Sequence, residues 1–416
     1  MIAYEKQILK NKLEVYALPV NKGSGVISVD VFYKVGSRNE VLGKSGIAHM
    51  LEHLNFKSTK NLKAGEFDAV VKGFGGVDNA STSFDHTHYY IKCSRTHLNK
   101  ALELFAELMA NLELKDEEFQ PERQVVLEER RWRTDNNPLG YLYFRLFNHA
   151  FIYHPYHWTP IGFFRDIESW SIEDIRDFHA TFYQPKNAIL LVSGDVEARE
   201  VFAGARRHFE GIKNTKALPK IHTKEPRQDG ARRAELFKDG GTELLALAYK
   251  IPPFKHKDIP ALHALSELLG SGKSALLSEI LMDKLGLINE FYCFVNDSVD
   301  ESLFIFIANC NLGIKAERVE RELLKILEKI KRGKISSKDL QKVKNNVRSD
   351  FIFSFNNASS VSSIYGSFLA RGDLKPLLNY EKNVENLSLE DLIGAAKKYF
   401  VAKNSTTLIL RKDKNG

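Results

Sequence analysis

Residues 167–195 read IESWSIEDIRDFHATFYQPKNAILLVSGD, and residues 384–412 read VENLSLEDLIGAAKKYFVAKNSTTLILRK. The two stretches align without a gap from end to end, and seven of the 29 columns are identical. Background composition would give about two. Ser171 and Ser388 read as helix N-caps, with acidic residues in the first turn complementing the helix dipole. Ala188–Ser193 and Ser405–Leu410 then read as the closing strand of each unit. An offset of about half the chain is what tandem duplication of a domain leaves behind. The polar, basic stretch Gly211–Arg233, with Pro219 and Pro226, suits an exposed linker between the copies. The expected division is a first half over 1–212, a linker over 213–233 and a second half over 234–416.

Working outward, each half mixes strands and helices. Ile27–Val35 alternates like a strand, and Thr87–Cys93 is a second β-rich run. Leu98–Leu114 and Val319–Ile330 carry helical periodicity. Strands followed by helix pairs predict an α+β unit, helices packed on one face of a mainly antiparallel sheet.

Composition bounds the partners. The chain has 416 residues, 43% of them hydrophobic and 27% charged, which is enough to bury substantial cores. A net charge of +7 over this length is mild, so no nucleic-acid partner is expected. No apolar run approaches the ~20 residues of a bilayer span, and the opening residues lack the apolar core of a signal peptide. Cys93, Cys293 and Cys310 are an odd number without a close pair. They predict a reducing, cytoplasmic setting, with neither a disulfide framework nor a cysteine metal site.

The chemistry concentrates in Gly46–Leu54, GIAHMLEHL. On a helix, His49, Glu52 and His53 fall within one arc of about 100°, while Ile47, Met50, Leu51 and Leu54 fall on the other side. Histidines at i and i+4 can chelate one zinc ion, and the adjacent Glu is placed to take a proton from water. Alone, H-x-x-E-H is equally compatible with a solvated polar face. A tetrahedral catalytic site needs a third protein ligand. The acidic helix after Asp116 offers Glu122, Glu128 and Glu129 in PERQVVLEERR. Glu122 and Glu129 share the valine face, where an uncompensated carboxylate is costly. Glu128, Arg130 and Arg131 fit a charged surface instead. The geometry therefore favours Glu129 as ligand, with Glu122 standing close by.

At this point the chain resembles the pitrilysin/insulinase family of zinc peptidases, which includes the mitochondrial processing peptidases. The resemblance runs through LKNKLEVYALP, SGIAHMLEHLNFKST, GGVDNASTSFDHTHYY, ERQVVLEERR, HPYHWTPIGF and LGSGKSALLSEIL, covering nearly the whole chain. In that family a Glu at a characteristic spacing after the second His completes the zinc site, and the same spacing counted from His53 falls on Glu129. The resemblance thus implies His49, His53 and Glu129 as ligands of one zinc ion per chain, with Glu52 as general base. It implies two α+β halves facing each other across a chamber, and a peptide or unfolded segment added as a strand beside Gly76–Tyr90. Asn79 and Ala80 fall where the family holds substrate backbone.

The second half keeps the pattern without the site. His263 aligns with His49, but Ser266 and Glu267 stand in place of the Glu and the second His. Gly270–Ser274 ends in G-K-S, yet Glu267 occupies the position of the Gly a phosphate loop needs, so nucleotide binding is not expected. His149, His154, His157 and Trp158 lack a helical chelate pair, and a second metal is not expected. Active single-chain relatives carry an Arg and a Tyr in a segment resembling L-R-x-K-x-G-L-x-Y; here Met282 and Asn289 stand at those positions. The resemblance therefore implies a zinc-bearing endopeptidase subunit that works with a related second chain, or as a homodimer. The competing reading is a non-catalytic assembly or peptide-binding subunit of the same fold.

Overall fold

The duplication is visible strand for strand in a computed structural model that describes residues 2–272 and 275–412. The first sheet comprises β1 (Glu5–Ile8), β2 (Glu14–Pro19), β3 (Val26–Tyr33), β4 (Val77–Thr82), β5 (Thr87–Ser94) and β6 (Ala188–Gly194). Its order is β1-β2-β6-β3-β5-β4. The second comprises β7 (Arg232–Lys238), β8 (Leu244–Ile251), β9 (Ile288–Val295), β10 (Ser302–Cys310) and β11 (Ser405–Lys412), in the order β7-β11-β8-β10-β9. Without β1 the two connectivities are identical. One pair is parallel in each, β2 with β6 and β7 with β11, and the remaining pairs are antiparallel.

The repeated segment forms the elements its pattern predicts. Ser171 Oγ accepts the Asp174 N–H at 3.2 Å while Asp174 accepts the Ser171 N–H at 2.9 Å. Ser388 and Asp391 reproduce the pair at 3.2 and 2.8 Å. Both are capping boxes that satisfy otherwise orphaned helix N–H groups.

The compact units, however, are not simple halves of the chain. The first comprises Met1–Arg130, Trp158–His222 and Phe353–Leu377; the second comprises Arg131–His157, Thr223–Ile352 and Leu378–Gly416. Helix Pro138–Ala150 packs on β8 and β11, and helix Ala358–Ala370 packs on the equivalent strands β3 and β6. Each copy thus supplies the same helix to the other copy's sheet. The division at 1–212, 213–233 and 234–416 describes order along the chain, which is all a repeat can reveal. The 211–233 stretch is exposed or half-buried except at Gln228, and it is anchored at Glu225. Glu225 is 2% exposed at its side chain and accepts the N–H groups of Ile152, Tyr153 and His154, each at 3.0 Å. Lys250 Nζ lies 2.8 Å from the same carboxylate. This ion pair fixes the part of the stretch after His222 within the second unit.

In the first unit, Ile27, Val29, Val31 and Tyr33 of β3 face a core shared with Met50, Leu51, Leu54, Phe105 and Val126. The opposite face of β3 meets helix Ala358–Ala370. There a Cβ on Gly366 would come within 2.0 Å of the Phe32 ring, so the helix crosses at a residue without a side chain. Among the described residues no helix is long and apolar enough to cross a membrane. All three cysteines are free.

Candidate metal centre

Helix Ile47–Leu54 buries Ile47, Ala48, Met50, Leu51 and Leu54, which leaves His49, Glu52 and His53 on its other side. Its start is fixed by close packing. Gly46 has φ 88°, and a Cβ there would sit 2.7 Å from the Ile161 carbonyl oxygen. Glu40, buried at 4% exposure, accepts the N–H groups of Gly46 and Ala48 at 2.8 Å and the Trp158 indole N–H at 2.7 Å. Burial pushes the Glu40 carboxyl up to about 8, against the pull of those three donors. A carboxylate at a helix N-terminus satisfies orphan N–H groups and complements the dipole. Ser45 adds a second clamp, donating from its N–H and hydroxyl to Asp166 at 2.9 and 2.6 Å.

Helix Asp116–Arg130 brings the third group. His49 Nε2 lies 3.5 Å and His53 Nε2 3.3 Å from the same atom, Glu129 Oε2. The three candidate donor atoms lie within 4.8 Å of one another, the one such cluster among the described residues. Glu128 is exposed. Glu122 accepts from His53 Nδ1 at 2.8 Å and faces Lys57 Nζ at 2.6 Å through its other oxygen. That bond fixes a hydrogen on Nδ1, so Nε2, on the Glu129 side, is the nitrogen that would bind an ion. Burial works against charging His53, yet its hydrogen bonds to Glu122 and Glu129 prevail and hold it up to about 9. The site is therefore organised around positive charge. Two imidazole nitrogens and one carboxylate oxygen are the protein donor set of a catalytic zinc site. A ligating imidazole must be neutral, so an ion would replace the His53 proton.

Two details of the helix reading need correction. Val125, assigned to the buried face, is 50% exposed; the buried stripe runs through Phe119, Val126, Leu127 and Arg130. Arg130, assigned to the charged surface, is buried and donates to the Gly162 carbonyl. Local acidity hid a long-range partner.

Of the Gly76–Tyr90 segment, β4 is a sheet edge and β5 lies one strand inside. Asn79 and Ala80 sit on β4, where the Ala80 N–H donates to Asn79 Oδ1 at 2.8 Å. An unpaired edge N–H is covered by the adjacent amide, which limits adventitious pairing. Thr82, which the sequence reading did not single out, donates from Oγ1 to Glu52 Oε2.

The other candidates disperse. His149 Nδ1 and His157 Nδ1 meet the backbone carbonyls of Arg145 and Phe151 at 2.8 and 2.6 Å, and His154 Nε2 meets Asp300 at 3.0 Å. Met282 packs on the second core, and Asn289 is exposed on β9. Tyr292 and Lys284, the nearest possible substitutes for the missing Tyr and Arg, are held by Glu290 and Glu279 at 2.6 and 2.5 Å. Lys273 and Ser274 of the G-K-S string lie outside the described residues.

Comparison with known proteins identifies relatives of the whole chain. The model for Insulinase (Peptidase family M16) matches residues 16–150, and that for the Peptidase M16 inactive domain matches residues 169–347. A zinc protease PqqE of Helicobacter pylori (strain ATCC 700392 / 26695) is 54% identical over 411 residues, 98% of this chain and 93% of that protein. The chain belongs to peptidase family M16. The crystal structure of a protease from Helicobacter pylori superposes with a TM-score of 0.97 at 54% identity, covering 99% of this chain and 100% of that one. The M16 fold also matches the periplasmic protease PqqL from Escherichia coli, with a TM-score of 0.81 at 18% identity. That match covers 99% of this chain but 48% of PqqL. The His49, His53 and Glu129 group lies in the segment matched by the insulinase model.

Proposed function

We propose that this chain is a zinc endopeptidase subunit that cleaves peptides or unfolded segments bound as a strand along β4. The observation that carries the reading is the convergence of His49, His53 and Glu129 on one point, with Glu52 on the same helix face. One zinc ion held there would polarise the scissile carbonyl and make water a better nucleophile. Glu52 takes the proton from the attacking water and passes it to the departing amine. Glu122 holds His53 in the ligating tautomer, and Lys57 holds Glu122. Ala80 offers edge backbone to the substrate once the Asn79 side chain releases its N–H, so affinity is tolerant of sequence.

Met282 and Asn289 favour a two-chain enzyme, because Met cannot donate hydrogen bonds to a developing oxyanion. A related second subunit then supplies those donors. The free cysteines suit a reducing compartment, the cytoplasm.

Metal analysis and cleavage of an unfolded protein by purified variants test the site. Glu129→Gln should lose zinc, whereas Glu128→Gln should keep it within about twofold. Glu52→Gln should keep zinc and lose about 100-fold or more in turnover. Equal zinc loss at positions 128 and 129 would overturn the ligand assignment. Full activity of the purified chain, shown to be free of any second subunit, would make a self-sufficient enzyme the better reading.

A further inference from the structure

We propose that Thr82 is a positioning residue for Glu52, coupling the proton-transfer group to the strand that receives substrate. The inference rests on the reading of Glu52 as general base. Thr82 ends β4 opposite Thr87, and the next residue, Ser83, donates its N–H to the His86 carbonyl at 2.9 Å. In an antiparallel pair, backbone groups point alternately towards the partner and away from it. Ser83, Ser81 and Asn79 therefore direct theirs to β5, while Thr82 and Ala80 direct theirs to the free edge. Side chains alternate as well. Val77, Asn79 and Ser81 are exposed, whereas Asp78, Ala80 and Thr82 are half-buried. On that half-buried side Thr82 Oγ1 donates to Glu52 Oε2. One residue thus presents backbone to an added strand and a hydroxyl to the base.

The bond has a specific chemical effect. The last torsion of a Glu side chain is broad, so the residue itself does not fix its carboxylate plane. An ionised carboxylate only accepts, so the Thr82 hydrogen is committed to Oε2. That anchoring holds the plane in which the carboxylate meets the water it deprotonates. A strand paired against Thr82 and Ala80 would restrain the same edge, so substrate seating and base orientation reinforce each other.

The second unit shows that the architecture does not require this hydroxyl. There Ser266, at the position of Glu52, donates to the Cys293 carbonyl of β9 at 3.0 Å. Helix and edge strand are joined through backbone, and no carboxylate is oriented.

The test is steady-state cleavage of reduced, carboxymethylated casein by the zinc-loaded protein, together with its partner subunit where the complex is the active form. Thr82→Val preserves shape and removes the hydroxyl; its kcat should fall roughly 10- to 100-fold, with KM within about threefold and zinc content unchanged. Thr82→Ser should recover to within about threefold of wild type, and Thr82→Val combined with Glu52→Gln should be no slower than Glu52→Gln alone. A crystal structure of zinc-free Thr82→Val should show the Glu52 carboxylate in more than one orientation. Wild-type kcat in Thr82→Val beside an inactive Glu52→Gln would overturn the role of Thr82 and leave the base intact. A loss confined to KM, or a Thr82→Ser as slow as Thr82→Val, would also overturn it. An active Glu52→Gln would instead overturn the base, and the role of Thr82 with it.

Discussion

Helix Ile47–Leu54 and helix Ile259–Gly270 follow equivalent strands, β3 and β8, yet they face different chemistry. His49 corresponds to His263 and His53 to Glu267 at one common offset, while Glu129 corresponds to Asn346 at the offset of the long repeat. The second unit thus keeps the same meeting of two helices with other groups. Asn346 Nδ2 donates to Glu267 Oε1 at 2.9 Å, where the first unit sets Glu129 Oε2 3.3 Å from His53 Nε2. His263 is shared between Asp297, 3.0 Å from Nε2, and Tyr380, 3.2 Å from Nδ1. In one unit two imidazoles and a carboxylate converge on one point, an arrangement suited to a cation. In the other they pair donor to acceptor and complete themselves. A fold built to bring two helix faces together can use that meeting for a metal or for hydrogen bonds.

The most demanding way to break this comparison is to rebuild the lost site. Glu267→His with Asn346→Glu recreates the two-His, one-Glu donor set on the second unit's helices, and adding Ser266→Glu restores the motif. Metal analysis should then give a second zinc per chain, held more weakly than the first because His263 must leave Asp297. If zinc stays at one equivalent in a folded double variant, the two helix pairs differ in geometry and the equivalence fails.

A smaller contrast concerns the support behind the ligands. Lys57 and Glu122 form a relay ending on His53 Nδ1. In the second unit Glu267 and Asn346 bond directly to each other. Lys57→Met removes the cation that holds Glu122, which should weaken zinc binding about 10-fold, since outer partners of ligating histidines typically contribute 10- to 100-fold. Competition with a chelator measures it. Unchanged affinity would show that Glu122 keeps its orientation unaided.

What the sequence revealed divides along the same line between local and long-range order. The repeat around Ser171 and Ser388 disclosed the duplicated sheets because caps and closing strands are written in adjacent residues. His49, Glu52 and His53 were legible from helical spacing, and Glu129 from helix face together with the family's spacing. Glu40, Lys57 and Thr82 were not. Glu40 has no periodic pattern and becomes meaningful only when the chain returns Trp158 to it. Lys57 lies one helical turn beyond His53, a spacing that could have drawn attention, but its partner Glu122 is on another helix. Thr82 is one hydroxyl among several in NASTS, and only strand alternation selects it. Asn346 was hidden because nothing marks a position from which a ligand has been lost. The exchanged helices were hidden too, since Pro138–Ala150 and Ala358–Ala370 pack against sheets their sequence order does not announce.

The finest expected effect isolates the hydrogen-bonded counterpart. The Tyr380 phenol is pushed above its ordinary value, chiefly by burial and then by the charges of Asp297, Glu267 and Asp350, so it keeps its proton. It donates to His263 Nδ1, which leaves a ring hydrogen on Nε2, facing Asp297. Tyr380→Phe keeps the ring beside Phe351, 5.4 Å between centroids, and removes only the donor. Leaving Nδ1 without its hydroxyl should cost about 1 kcal/mol of stability, a typical value for one neutral hydrogen bond. Denaturant unfolding reads that loss, and chelator competition should find zinc affinity unchanged within about twofold. A zinc affinity that falls with the Tyr380 hydroxyl would mean that the second unit's network supports the metal centre. The two regions would then be parts of one device, not alternative uses of one fold.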